Sequence, residues 1–413
     1  MFPIKLTSTS QRTNMNRYRY LQSPCCILAL ALSLSLSGCG SSSDETESLE
    51  PAAKKAEVAN VTVAFQSLQR FDASTRQDEV KLKGAGASFP EPLYQALFKS
   101  LRENSKTDVR YEAVGSSAGI VLVQNKQVNF GASDAPLTDE QMKSDANGAI
   151  LHIPTAFGAV SVVYNLPGVN AVLKLSAEQL ALIYLGRITY WDDERLVAGN
   201  AELKGVHERI ISVHRADGSG STFALTEFLA EGSGDWNKQM GKGTSMYWPG
   251  GMAVTSGGAM VDAVLRSPYA IGYTELNVAV SRNLKSAALK NPSGAYVVPS
   301  FKSVREAMEG LSASDSTDLR LDVINSDGSG SYPISTATYV LVYQNQDDPK
   351  QAQALTQVLW WLVHDGQSAH EKLLYVPLSA NLVKRVEKAL EQVRANGAPV
   401  LTPVAAQPAA SKS

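Results

Sequence analysis

Cysteine is nearly absent from this 413-residue chain: Cys25, Cys26 and Cys39 are the three present, none later than position 39. No disulfide framework and no thiolate metal site can form in the remainder. A charge excess is missing too. Lys and Arg number 38 against 40 Asp and Glu, a net charge of -2, which leaves no basic footprint for nucleic acid. Histidine is scarce, and His152, His207, His214, His364 and His370 are each isolated, with no pair at the spacing of a zinc site. No metal or other cofactor is expected. The apolar run over residues 26–36 is too short to cross a membrane as a mature helix.

What that run offers instead is an export signal. Lys5, Arg12, Arg17 and Arg19 precede it, and if translation starts at Met15 rather than Met1 the last two suffice as the basic region. The run ends in Leu36-Ser37-Gly38-Cys39, which resembles the lipidation box of bacterial lipoproteins, so residues 1–38 are expected to be removed and Cys39 lipidated. Residues 39–79, rich at first in Ser, Glu and Ala, read as a tether. Within it, 58–71 carries apolar residues at mixed spacings and is assigned no element. Residues 397–413, with Pro399, Pro403 and Pro408 among small residues, read as a disordered tail. The chain as a whole is 44% hydrophobic and long enough for two domains.

The body is organised around 214–229. An apolar strand pattern, Ile210-Ile211-Ser212-Val213, runs into His214-Arg215-Ala216-Asp217-Gly218-Ser219-Gly220-Ser221-Thr222, and Phe223, Leu225, Phe228 and Leu229 behind it suit a helix. Hydroxyls, first-turn amides and the Arg215 guanidinium would converge on one small oxyanion there. An ordinary capped helix after a surface turn has the same signature, and Asp217 either holds Arg215 or faces the ligand. The pattern recurs, however. Gly84-Ala85-Gly86-Ala87-Ser88-Phe89-Pro90, Gly115-Ser116-Ser117-Ala118-Gly119 and Gly131-Ala132-Ser133-Asp134-Ala135-Pro136 each follow a strand pattern, and helical patterns follow them. Alternating strands and helices predict an α/β fold with mostly parallel sheets, whose ligands bind beyond the carboxyl ends of the strands.

Those turns, with Ile183-Tyr184-Leu185-Gly186-Arg187-Ile188 before Trp191-Asp192-Asp193, occur in the order seen in the phosphate-binding proteins of bacterial ABC phosphate transporters, which this chain resembles from about residue 81 to 386. The resemblance implies a two-lobed fold of the type II periplasmic-binding-protein class, hinged by two crossings near 154–158 and Pro333. Lobe I would be 80–155 plus 334–396, and lobe II 156–333. It implies a monomer on the extracytoplasmic face that captures inorganic phosphate in the cleft and delivers it to an inner-membrane ABC permease, with no reaction catalysed.

Carried across position by position, the family's ligand contacts fall on Ser88, the backbone of Phe89, Ser116, Asp134, Arg215, Asp217, Ser219, Gly220 and Ser221. The usual Thr-Ser order reads Ser221-Thr222 here. The resemblance makes Asp134 the acceptor of a phosphate O–H and has Asp217 position Arg215. Other readings are a phosphate sensor without transport, a receptor for another oxyanion, and a surface serine hydrolase. The last would use Ser117 in the Gly-x-Ser-x-Gly pattern with His364 or His370 as base. The echo Asp327-Gly328-Ser329-Gly330-Ser331 precedes Tyr332-Pro333, which cannot start a helix in the same way, and is expected to be a surface loop.

Overall fold

Strand β1 (Val80–Gly86) runs through the Ser88 turn into helix α1 (Glu91–Asn104), and β2 (Thr107–Ala113) runs into α2 (Ser116–Gln124). β3 (Phe130–Ser133) ends in the turn at Asp134, and β4 (Ile150–Tyr164) follows. These belong to a computed structural model that describes residues 61–71, 79–144, 147–309, 311 and 318–401. The expected signal peptide, Cys39 and 402–413 lie outside the described residues. Helix α3 (Ala177–Tyr184) starts at a capping box, Ser176 with Gln179. Then come β5 (Ile211–Arg215), α4 (Gly220–Gly232), β6 (Met252–Val254), α5 (Gly257–Arg266), β7 (Ala270–Glu275) and the short β8 (Lys285–Ser286). β9 (Ser335–Tyr343) and α6 (Pro349–Val363) complete the frame.

The nine strands form one sheet in the order β2-β1-β3-β9-β4-β7-β5-β6, with β8 also paired to β4. β1 is parallel to β2 and β3, and β5 is parallel to β7 and β6. Two antiparallel strands join these groups. β4 pairs with β9 from Ile150↔Tyr343 to Ala159↔Ser335, then with β7 from Val160↔Glu275 to Tyr164↔Ile271. One continuous strand therefore belongs to both groups. Its sequence explains why: every residue of β4 except Leu151 is buried, as suits a strand covered on both faces.

The expected tether ends sooner than residue 79. Val63, Leu68 and Phe71 are buried in the main core, Phe65 stacks on Trp361 with centroids 5.2 Å apart, and the Trp361 indole donates to the Ala64 carbonyl at 2.8 Å. Ser67 adds two hydrogen bonds to Asp365, each 2.8 Å. Apolar side chains at mixed spacings here cover the α6 tryptophans. The expected tail likewise begins later than 397, because Ala398–Pro399 pairs with Arg394–Ala395 and both Val400 and Leu401 are buried.

Candidate functional site

Four turns stand at the carboxyl ends of β1, β2, β3 and β5, and the fold brings them together. Ser117 donates its amide to the Gly218 carbonyl at 3.3 Å and its hydroxyl to Thr244 Oγ1 at 2.8 Å, which joins the second turn to the fourth. The Asp134 amide donates to Ser116 Oγ at 3.3 Å. Gly220 lies against both: a Cβ there would stand 2.5 Å from Asp134 Cβ and 2.7 Å from Ser116 Oγ. Only glycine permits α4 to begin so close to that carboxylate.

The first turn is held from behind. The tip of the Phe89 ring packs on Gly158 of β4, where a Cβ would approach Cζ to 2.3 Å, and Tyr375 donates its hydroxyl to the Phe89 carbonyl at 2.6 Å. Ser88 is thereby aimed at the cleft, where its Oγ lies 3.4 Å from Glu275 Oε1.

In the fourth turn Arg215, only 3% exposed, gives Nε and Nη2 to the two oxygens of Asp217, a fork that leaves Nη1. Burial works most strongly against the guanidinium charge, yet the Asp217 bonds together with the charges of Asp217 and Glu275 outweigh it and hold its pKa above the ordinary value. Ser219 caps α4 by accepting from the Thr222 amide. The amides of Gly220 and Ser221, one residue into the first turn and the next, have no carbonyl partner inside the helix. With the helix dipole behind them they favour an anion. In the Ser221-Thr222 pair, Thr222 Oγ1 lies 2.7 Å from Tyr273 Oη and Ser221 donates to Glu275 Oε1 at 3.0 Å.

All nine residues that the resemblance singles out thus lie on these four turns. Glu275 was missed. This buried carboxylate ends β7 and accepts from Ser221 Oγ at 3.0 Å and from Thr274 Oγ1 at 2.9 Å. Its signal was an acidic residue closing the otherwise apolar run Ala270-Ile271-Gly272-Tyr273-Thr274, at the sheet edge where ligands bind.

The family model for the PBP superfamily domain matches residues 69–365. The phosphate-binding protein PstS of Xylella fastidiosa (strain Temecula1) is 33% identical over 309 residues, 75% of this chain and 84% of that protein. PstS of Haemophilus influenzae is 33% identical over 307 residues, covering 74% and 91%. The chain belongs to the phosphate-binding protein family. Its fold is shared with the solved structure of a high-affinity periplasmic phosphate-binding protein, PfluDING, bound with phosphate. There the TM-score is 0.60 at 20% identity, over 75% of this chain and 93% of that one. The two parallel groups joined by β4 and β9 are the two lobes of the type II periplasmic-binding-protein fold.

Asp134 carries the most informative chemistry. It is 4% exposed and its Oδ1 has no hydrogen-bond partner among the described residues. Burial, with the nearby Glu275 charge adding to it, raises its pKa from 3.8 to about 7, against the pull of the Thr338 hydroxyl, of Arg215 and of the Ser116 hydroxyl. Such an acceptor is waiting for a donor. The sign of its effect on stability follows. The folded, ligand-free protein binds this proton more tightly than the unfolded chain, so stability falls as pH rises from about 4 through about 7. At about 1.4 kcal/mol per pKa unit, the penalty above that window is at most about 4 kcal/mol. We expect Asp134→Asn to raise Tm in calorimetry at pH 8 and to give no gain near pH 4; a gain independent of pH would mean the carboxylate is not the source.

The hydrolase reading is not supported by the partners of its proposed residues. Ser117 Oγ is engaged with Thr244, while His364 bonds Glu387 and the Trp360 carbonyl, and His370 bonds the Thr155 and Gly366 carbonyls. Among the described residues no group of three His, Cys, Asp or Glu is placed to hold a metal ion. The echo loop at 327–331 is a surface loop whose carbonyls at Gly328, Ser329 and Ser331 accept from Asn291.

Proposed function

We propose that this protein captures inorganic phosphate between its lobes and delivers it to an ABC permease, acting on the extracytoplasmic face from a lipid anchor at Cys39. The lobes are 80–155 with 334–396, and 156–333. Relatives over most of the chain are named phosphate-binding proteins, which supports the ligand. No helix among the described residues is long and apolar enough to cross a membrane, which is compatible with anchoring by lipid.

The observation that carries the ligand assignment is the buried, unpartnered Oδ1 of Asp134 set against a donor array. Phosphate at neutral pH is both acceptor and donor. Its bare oxygens take the amides of Phe89, Gly220 and Ser221, the hydroxyls of Ser116 and Ser219, and Arg215 Nη1. Its O–H goes to Asp134. Sulfate has no proton to give and meets the same carboxylate with lone pairs. Ser88 and Ser221 complete the wall from opposite lobes, so the ligand is held by both and biases the hinge toward the closed state.

Charge-assisted hydrogen bonds of roughly 1.5–3 kcal/mol each, partly offset by desolvation and lost freedom, support a net of about -8 kcal/mol or beyond, a Kd near micromolar or tighter. Titration calorimetry of ligand-free protein should show such binding for phosphate and none of comparable strength for sulfate. Millimolar binding, or equal binding of both, would overturn the assignment.

A further inference from the structure

The Gly115-Ser116-Ser117-Ala118-Gly119 turn carries two hydroxyls, and the phosphate reading uses only that of Ser116. Ser117 faces the opposite lobe: its hydroxyl donates to Thr244 Oγ1 at 2.8 Å and its amide to the Gly218 carbonyl at 3.3 Å. The sheet order shows how far this contact reaches. The Ser117 turn follows β2, the first strand, and the Gly218 turn follows β5, the seventh, so six spacings of about 4.8 Å would part them by about 29 Å in a flat sheet. They meet because the lobes fold over the cleft. Both surfaces suit the approach, since a Cβ on Gly115 would stand 2.7 Å from the Gly218 carbonyl oxygen and one on Gly218 2.2 Å from Ser117 Oγ.

Thr244 is fixed to its own lobe. Its carbonyl accepts from the Ser219 amide at 2.9 Å, and the neighbouring Gly243 donates its amide to Thr226 Oγ1 of α4 at 3.1 Å and accepts from it at 3.3 Å. One side of the contact is therefore next to Ser116 in sequence, and the other is bonded to Ser219. Other hydrogen bonds also cross between the lobes, Asn277 Nδ2 to Tyr375 Oη at 2.9 Å and Arg320 Nη1 to Asp139 Oδ1 at 2.7 Å. Those stand beside the crossing strands: Val376, next to Tyr375, pairs with Phe157 of β4, and Leu321, next to Arg320, donates to the Tyr339 hydroxyl of β9 at 2.9 Å. A rotation about β4 and β9 parts such contacts least and parts Ser117 from Thr244 most.

Resting on the phosphate reading above, we infer that Ser117 and Thr244 form a clasp, remote from the crossing strands, that holds the lobes shut over phosphate and sets how slowly it leaves. Both are positioning residues, because neither touches the ligand in that reading. The clasp exists only in the closed state. Phosphate meets the open protein without it, so removing it acts on release rather than on capture.

Calorimetry of the full chain with inorganic phosphate gives Kd, exchange between free and bound phosphate in phosphorus NMR gives the release rate, and their quotient gives the association rate. Ser117→Ala and Thr244→Val should each speed release about fivefold and raise Kd in proportion, with association within about twofold of wild type. Thr244→Ser keeps the hydroxyl and should match the wild type. The double variant Ser117→Ala with Thr244→Val should release no faster than either single one, because both remove the same bond. Unchanged release in the single variants, slowed association in place of faster release, or single effects that multiply in the double variant would each overturn the clasp. Should one variant fail to fold, the other decides alone, since the two lie on different lobes. A wild type that binds no phosphate would instead sink the phosphate reading, and the clasp with it.

Discussion

Arg215→Met should weaken phosphate binding by about two to three orders of magnitude, because breaking a buried ion pair from one side costs about 3–5 kcal/mol and each tenfold step is about 1.4 kcal/mol. Two losses combine. The cation disappears from a site where the side chain is 3% exposed, and Asp217 is left without the fork that neutralised it, now facing the incoming anion. These separate experimentally. Arg215→Met with Asp217→Asn removes the repulsion and should recover part of the affinity, whereas Arg215→Lys supplies a point charge that cannot hold both Asp217 oxygens and reach the ligand. Calorimetric Kd values for the three variants check this, and a Kd within tenfold of wild type for Arg215→Met would remove Arg215 from the site.

Asp134→Asn is expected to lower the preference for phosphate over sulfate by about a hundredfold or more. Phosphate loses a bond to a charged acceptor, worth roughly 1.5–3 kcal/mol, and sulfate escapes an unpaired buried carboxylate of similar penalty, so the two changes add in the ratio. The asparagine amide can turn its N–H toward either anion. Gly220, pressed against the Asp134 side chain, prevents the residue from retreating to solvent. Competition between phosphate and sulfate measured on wild type and variant tests this, and an unchanged ratio would place the discrimination elsewhere.

The four turns were legible because their chemistry is local: glycine for close approach, hydroxyls at helix starts, each directly after an apolar strand. Their convergence was legible only from the rule for sheet edges and from the family resemblance. Glu275 was not legible as a site residue, since its meaning depends on Ser88, 187 positions away, and on Ser221, 54 away. Mostly parallel pairing was expected, and it holds for β2-β1-β3 and for β7-β5-β6. The antiparallel role of β4 and β9 comes from the chain returning to lobe I, which strand patterning does not reveal. Residues 61–71 show no clear period because their partners, Trp360 and Trp361, lie almost three hundred residues on.

The continuous strand Ile150–Tyr164 has a mechanical corollary. With its flanks laced to different neighbours, the lobes separate by torsion of a ribbon whose rungs stay intact, with a register irregularity at Thr338/Tyr339 as the soft point. Such an element behaves as a spring. Opening it also means parting contacts that run from one lobe to the other, among them Ser117 with Gly218 and Thr244, Asn277 with Tyr375, and Arg320 with Asp139.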